Sequence, residues 1–365
     1  MNKTKILFLL HLPPPVHGSS MVGKWIKDSE QINTTFSTSY INLLASSNIK
    51  ETGKLSVAKV LSTLKIIFTL IQRLIIVKPN KIYFALTTTG FAFYRDVLLV
   101  FIIKLFGCKI VYHLHNKGVQ RASERKINNC FYNYVFRNSQ VILLSEHLYS
   151  DISKFVTKPQ IFICPNGIPE VDIKDILIKN HESKTVQILF LSNLIESKGV
   201  LVLLEALKTL NEENINFEAI YVGGEGDISS GLLNRKIVEY NLTNKVKYLG
   251  KKYGNDKNKI FQQSDIFVFP TSYSNECFPL VLLEAMQFKL PLISCPEGGI
   301  PDIVQNNYNG FLVPKQNSRV LAEAIKKLID DPELRKVMGE NSFREYCKKF
   351  TLETFEQNLC VILKQ

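Results

Sequence analysis

The chain has 365 residues, 45% of them hydrophobic and 21% charged, which excludes a disordered chain and suffices for two domains of ordinary size. Met1–Glu170 carries 21 Lys+Arg against 8 Asp+Glu, and the remainder 24 against 25, so the whole excess of positive charge sits in the first half and points to an anionic partner. The seven Cys include no C-x-x-C pair, which excludes a zinc ribbon or a disulfide framework and fits reduced thiols in a cytoplasmic protein; without an Arg-rich cluster or an RNA-binding aromatic motif, nucleic acid is the weaker partner.

Lys3–Leu10 reads as a first buried parallel strand. Its apolar run, Ile6–Leu10, is too short for a signal peptide and is followed by Pro13-Pro14-Pro15. A helix is expected to begin near Ser19 or Ser20, both good N-cap types. Gly18, in the loop before it, would let backbone approach a phosphate, and a plain turn explains it equally well. Val57–Val77 reads as a long amphipathic helix packed on a sheet, with a membrane-docking surface as the sharper alternative. Lys59, Lys65 and Arg73 argue against its spanning a bilayer. Strands at Ile82–Ala85, Lys109–His113, Val141–Leu144 and Ile161–Pro165 alternate with helices near Phe91–Phe106 and Glu124–Phe136, the pattern of a parallel, doubly wound sheet. His113 and His115 share one face at a strand end. Ligands bind at the carboxyl ends of such strands, so His115 is placed to reach substrate, with a satisfied strand-end histidine as the alternative. Zinc lacks a third ligand at suitable spacing, and no metal site is expected.

Val171–Lys184 is polar and aperiodic and reads as the linker between domains 1–172 and 173–350. A second alternating unit begins with the strand Val186–Leu191. Ser192–Gly199 leads into a helix over Val200–Leu210, with Lys198 near its start, where a lysine pairs with a phosphate or simply meets water. Further strands are Ala219–Val222, Val246–Gly250, Ile266–Pro270 and Leu292–Ser294. Gly223-Gly224-Glu225-Gly226 is not a full dinucleotide fingerprint, and there is no Walker A sequence.

Ser274–Met286 (S-N-E-C-F-P-L-V-L-L-E-A-M) organises the chain. It follows an apolar strand and enters an apolar helix with Leu280, Leu283 and Met286 at helical spacing. The start of that helix, at Cys277, Phe278, Pro279 and Leu280, suits a diphosphate. Glu276 just before the helix and Glu284 within it then stand ready for hydroxyl groups; taken alone, two such carboxylates are ordinary surface charge. Leu321–Ile329 and Glu333–Lys349 read as closing helices.

This stretch resembles the E-x7-E signature of retaining glycosyltransferase family 4, which has the GT-B fold of two Rossmann-like domains facing a cleft. Ser294–Val304 (S-C-P-E-G-G-I-P-D-I-V) and Asn309–Pro314 (N-G-F-L-V-P) are similar to the segments that follow it in that family, and Lys198-Gly199 extends the likeness upstream. The resemblance implies a metal-independent transfer from a nucleotide-diphosphate sugar, a UDP-sugar foremost, with no further cofactor. Glu284 would hold ribose hydroxyls, Lys198 and the helix start at Phe278–Leu280 the diphosphate, and Glu276 and His115 the sugar. The family usually has Arg where Asn193 stands on the diphosphate, which leaves one fewer cation. The resemblance also implies that Thr351–Lys364 crosses back onto the first domain. With the basic first half, it points to a saccharide acceptor on a polyprenyl diphosphate, surface-polysaccharide assembly, and peripheral contact with an anionic membrane. Two alternatives stay open: a UDP-sugar 2-epimerase of the same architecture, and a non-catalytic sugar-nucleotide or glycan-binding protein.

Overall fold

The structure, a computed structural model, describes residues 3–44, 57–171 and 185–365. The chain divides into two compact units, Met1–Gly167 with Leu352–Gln365, and Ile168–Thr351. The linker expected over Val171–Lys184 lies, beyond Val171, outside the described residues.

The first unit runs β1 (Lys5–Leu10), α1 (Gly18–Asp28), α2 (Glu30–Thr35), β2 (Ser37–Asn42), α3 (Val57–Val77), β3 (Lys81–Phe84), α4 (Gly90–Leu105), β4 (Lys109–Leu114), α5 (Val119–Ala122), α6 (Lys126–Phe136), β5 (Gln140–Leu143), α7 (Tyr149–Ile152) and β6 (Ile161–Ile163). Its sheet has the order β2-β1-β3-β4-β5-β6, and every pairing is parallel. Helices on both faces bury the inner strands, so β1 reads K-I-L-F-L-L as one apolar run, with Ile6–Leu10 at 0% exposure.

The second unit repeats the plan with β7 (Val186–Leu191), α8 (Val200–Glu212), β8 (Phe217–Val222), α9 (Ser230–Glu239), β9 (Val246–Tyr248), α10 (Gly254–Gln263), β10 (Ile266–Phe269), α11 (Leu280–Gln287), β11 (Leu292–Ser294), α12 (Ile300–Ile303), β12 (Gly310–Leu312), α13 (Ser318–Asp330) and α14 (Pro332–Lys349). Its order, β12-β11-β10-β7-β8-β9, is again parallel throughout. The chain reverses its direction of winding between β7 and β10. The carboxyl ends of those two strands are where an open α/β sheet leaves a crevice for ligand. Helix α8 presents Val200, Leu203, Leu204, Leu207 and Leu210 to the core at helical spacing. Side chains of Ser229, Asn317 and Asp331 cap α9, α13 and α14 by accepting first-turn amides.

After α14 the last helix, α15 (Leu352–Lys364), belongs to the first unit. It packs on α2, and its Leu363 carbonyl accepts a hydrogen bond from Lys81 Nζ at 3.0 Å.

Two readings of the sequence need correction. Helix α1 starts two or three residues earlier than an N-cap at Ser19 or Ser20 would make it: His17 is the N-cap, with Nδ1 accepting from Ser20 N while Ser20 Oγ accepts from His17 N. Gly18 is therefore the first helical residue, with an ordinary right-handed backbone, and the glycine's conformational freedom is not used. Edge strands β2 and β12 were absent from the sequence pattern because S-T-S-Y-I-N is half polar and G-F-L spans three residues. Helix α3 is, among the described residues, the one helix long and apolar enough to cross a membrane; over Val60–Val77 its mean hydropathy is 1.9, and 17% of it is buried. It buries Ile66, Leu70 and Leu74 and packs against β2 and α4.

Candidate functional site

Four loops at the carboxyl ends of β7, β8, β10 and β11 build the site in the second unit. The chain leaves β7 through a single 3-10 turn, Glu196–Lys198. Gly199 follows with φ +88°, and a Cβ there would lie 2.4 Å from the Pro270 carbonyl oxygen. No other residue lets the β7 loop pass so close to the end of β10. Ser272 N donates to the Ser197 carbonyl at 2.7 Å across the same junction.

This closeness carries Lys198 to Glu276. Lys198 Nζ donates to Glu276 Oε2, with the two side chains 15% and 11% exposed. The ammonium also stands 4.4 Å from the Tyr273 ring centroid. An ion pair this far from water, backed by an aromatic face, is held more firmly than a surface pair. Beyond Glu276 the chain turns through buried Cys277, Phe278 and Pro279 into α11, where Pro279 is an N-cap without a side-chain acceptor. The first amides of α11 thus point out of the helix beside the Lys198–Glu276 pair.

The loop after β11 locks this arrangement. Gly298, at φ +55°, would place a Cβ 2.2 Å from the Glu276 carbonyl oxygen and 2.9 Å from that of Cys277. Gly299 N donates to the Cys277 carbonyl at 2.6 Å. Beside it, buried Glu297 is paired with Lys315.

Glu284, one turn into α11, is oriented by Lys257 of α10, whose Nζ donates to Oε1 at 2.7 Å. Asn193 serves the backbone: its Oδ1 accepts from Gly224 N at 3.2 Å and ties the end of β7 to that of β8. Lys251, just past β9, crosses the space that glycine leaves at position 224. A Cβ on Gly224 would lie 2.2 Å from Lys251 Cε, 3.3 Å from its Nζ and 3.2 Å from Asn193 Oδ1. An ammonium thus accompanies Asn193. Neither Lys251 nor Lys257 stood out in the sequence, because both come from polar stretches, and Lys251 reaches Asn193 only through sheet order.

The first unit has its own polar cluster where β1 and β4 end. His11, His17, His113 and His115 converge there: the His11 and His17 rings are 6.4 Å apart and those of His113 and His115 4.2 Å. Burial, reinforced by the charge of His17, pushes His115 down to about 4. Burial and Arg95 bring His11 to about 3, and burial holds His113 well below its ordinary range. All three rings are neutral at pH 7. Tyr83 Oη and His113 Nδ1 share a hydrogen bond at 2.5 Å, and the His113 ring lies against Phe355 of α15. His11 Nδ1 and His113 Nε2 are buried without a hydrogen-bond partner among the described residues. Spacing in the sequence paired His113 with His115 but gave no sign of His11 and His17.

Residues 172–345, just under half of the chain, match the family described as "Glycosyl transferases group 1". The chain is 30% identical over 224 residues to an uncharacterized glycosyltransferase of Methanocaldococcus jannaschii, covering 61% of this chain and 59% of that one. It is 27% identical over 170 residues to the capsular polysaccharide biosynthesis glycosyltransferase CapM of Staphylococcus aureus, covering 47% and 43%. It thus spans less than two thirds of the length of either relative. Among solved structures, Anabaena HepE in complex with UDP superimposes with a TM-score of 0.76 at 20% identity, over 99% of this chain and 100% of that one. The molecule therefore has the GT-B fold, and its second unit carries the match to the glycosyl transferases group 1.

Proposed function

We infer that the chain is a retaining, metal-independent glycosyltransferase. It moves a sugar from a nucleotide-diphosphate donor, a UDP-sugar foremost, to a saccharide acceptor carried on a lipid diphosphate. The work is surface-polysaccharide assembly, done in the cytoplasm with peripheral contact at the membrane. The observation that carries this reading is the direct pairing of Lys198 with Glu276 at the start of α11, at the switch point of the sheet.

The chemistry follows from those groups. A diphosphate seated on the α11 amides would draw Lys198 from its carboxylate, and Lys251 would add the second cation beside Asn193. Negative charge on the leaving diphosphate grows as the glycosidic bond breaks, so these donors act most strongly in the transition state. Glu276, released from Lys198, then faces the sugar hydroxyls and the positive charge developing at the anomeric carbon. Glu284, held by Lys257, accepts from the ribose hydroxyls. His115 is neutral at pH 7, and a neutral imidazole both donates to and accepts from sugar hydroxyls. The family match over residues 172–345 and the UDP in the HepE structure support the donor class.

A thermal-shift screen with UDP-, GDP-, ADP- and dTDP-sugars in EDTA tests the donor site. A donor at ~100 times its dissociation constant stabilises the fold by about 2.7 kcal/mol. A response to one base, lost in Glu284→Ala, is expected; silence toward all four would overturn the reading. Product analysis with and without a saccharide acceptor then separates transfer from epimerisation, and the anomeric configuration of the product tests retention.

A further inference from the structure

Helix α4 is apolar on two opposite faces. Its inner face buries Phe93, Leu99, Val100 and Ile103. Its outer face exposes Phe91, Tyr94, Leu98, Phe101 and Leu105, from 39% at Tyr94 to 70% at Leu105. The outer residues follow one another at intervals of three and four, a single stripe along the helix. A helix with two apolar faces is ordinarily covered on both. Helix α3, packed beside it, shows Val60, Leu61, Leu64, Phe68, Ile75 and Ile76 outward, each more than half exposed. On the other side α6 continues the face through ring contacts of Tyr94 with Phe131 and Phe101 with Tyr134. Among the described residues, twelve of the nineteen large exposed apolar ones fall on α3, α4 and the cap of α4. Soluble proteins do not leave such a surface without an interaction to serve.

Charge selects the occupant. Residues Val57–Phe136 hold twelve Lys+Arg and two acids. One acid, Asp96, is buried against Arg95, so Glu124 is the one that faces solvent. Lys65 and Arg73 on α3, and Arg121, Arg125 and Lys126 before and at the start of α6, are exposed at the borders of the apolar face. A second copy of this chain would bring the same positive border against itself. A protein partner would need a hydrogen bond every 100–200 Å² or so, and the α4 stripe offers one hydroxyl, that of Tyr94. Lipid tails need none, and anionic headgroups complement the border.

We propose that the outer face of α3 and α4 is a membrane-inserting surface, with α4 lying in the headgroup plane of an anionic bilayer and its aromatic stripe among the acyl chains. This deepens the proposed lipid-linked acceptor by naming the surface that meets the lipid, and it rests on that reading only for its use. Lys104 keeps α4 and α6 aligned within the face, since its Nζ donates to the carbonyls of Val135 and Arg137 at 3.1 and 2.9 Å.

The test is flotation of the full chain with vesicles of phosphatidylcholine alone, or with roughly a third phosphatidylglycerol, at low and high salt. The wild type floats with the anionic vesicles at low salt and is retained only partly at high salt, because the apolar face still holds. Phe101→Asp with Leu105→Asp, both at exposed positions, lowers the bound fraction about tenfold or more. Its thermal response to nucleotide sugars stays that of the wild type, which shows the variant folded. No flotation of the wild type at low salt overturns the proposal, as does equal flotation of the double variant. A wild-type dimer that the variant converts to monomer, without vesicle binding in either, assigns the face to a second copy and also overturns it. Flotation and the nucleotide-sugar response are read separately, so failure here is distinct from failure of the donor site.

Discussion

Gly298 gives the sharpest test of how the donor site is held. Alanine there adds two costs. Its left-handed backbone disfavours a Cβ by about 1 kcal/mol. Its Cβ would also stand 2.2 Å from the Glu276 carbonyl, where ordinary contact begins at 3.4 Å, so backbone must move by the difference, about 1.2 Å. The opposing atom is main chain, and Gly299 N is bonded to the adjacent Cys277 carbonyl. Losing that bond costs about 1 kcal/mol and overpacking about 1–2 more. The total is about 3–4 kcal/mol by urea denaturation. Gly250, at φ +67° with nothing within 4 Å of its Cβ site, is the control: Gly250→Ala loses only the backbone part, about 1 kcal/mol. Displacing Glu276 by ~1 Å is also expected to lower turnover about a hundredfold. Equal stability of the two variants, or wild-type turnover in Gly298→Ala, would refute the argument that the β11 loop sets the position of Glu276.

Other expectations follow from the same geometry. Lys251→Ala should weaken nucleotide-sugar binding about tenfold by calorimetry, whereas Lys251→Arg should keep it; unchanged affinity in the alanine variant removes Lys251 from the site. Tyr83→Phe leaves His113 Nδ1 buried without its hydrogen-bond partner and should cost about 1–3 kcal/mol in a denaturant titration. His11 and His115 bind protons in the unfolded chain near pH 6.5 but in the fold only near 3 and 4. The unfolded state therefore takes up protons first, and stability is whole above pH ~6.5 and falls as the pH drops toward 4. At pH 5 the loss is about 2 kcal/mol for each of these two rings, opposed in part by Asp96, whose carboxyl burial raises. Denaturation midpoints at pH 7.5 and 5 should differ accordingly, and His11→Asn with His115→Asn should flatten the slope; an unaltered slope shows that these rings do not set it.

The alternation of strand and helix was legible because a strand covered on both faces must be apolar along its length, as Ile6–Leu10 and Ile266–Phe269 are. The same physics hid β2 and β12, which lie at sheet edges and need no such run. At the site, Glu276 stood out through its position after a strand and before a helix and Lys198 through the family resemblance, and the fold brings them together. What the sequence could not disclose were partners set by strand order. Lys257 and Glu284 lie on consecutive helices, whereas Asn193, Gly224 and Lys251 meet because β7, β8 and β9 lie side by side. The helix start at His17 was obscured for a local reason: histidine ranks low among N-cap residues, yet its Nδ1 completes the reciprocal bond with Ser20 as a serine or aspartate oxygen would.

The place of α15 in the first unit orders events during synthesis. Residues 168–351 emerge from the ribosome before α15 does, a delay of roughly ten to forty seconds at ~5–20 residues per second. The second unit is sequence-continuous and is complete within that interval. The first must wait, with its sheet formed but Lys81 lacking the Leu363 carbonyl and His113 lacking Phe355. The surroundings of Lys81 and His113 are therefore completed last in the first unit, and a ribosome stalled anywhere in the second unit releases a chain whose first unit is open where α15 should close it.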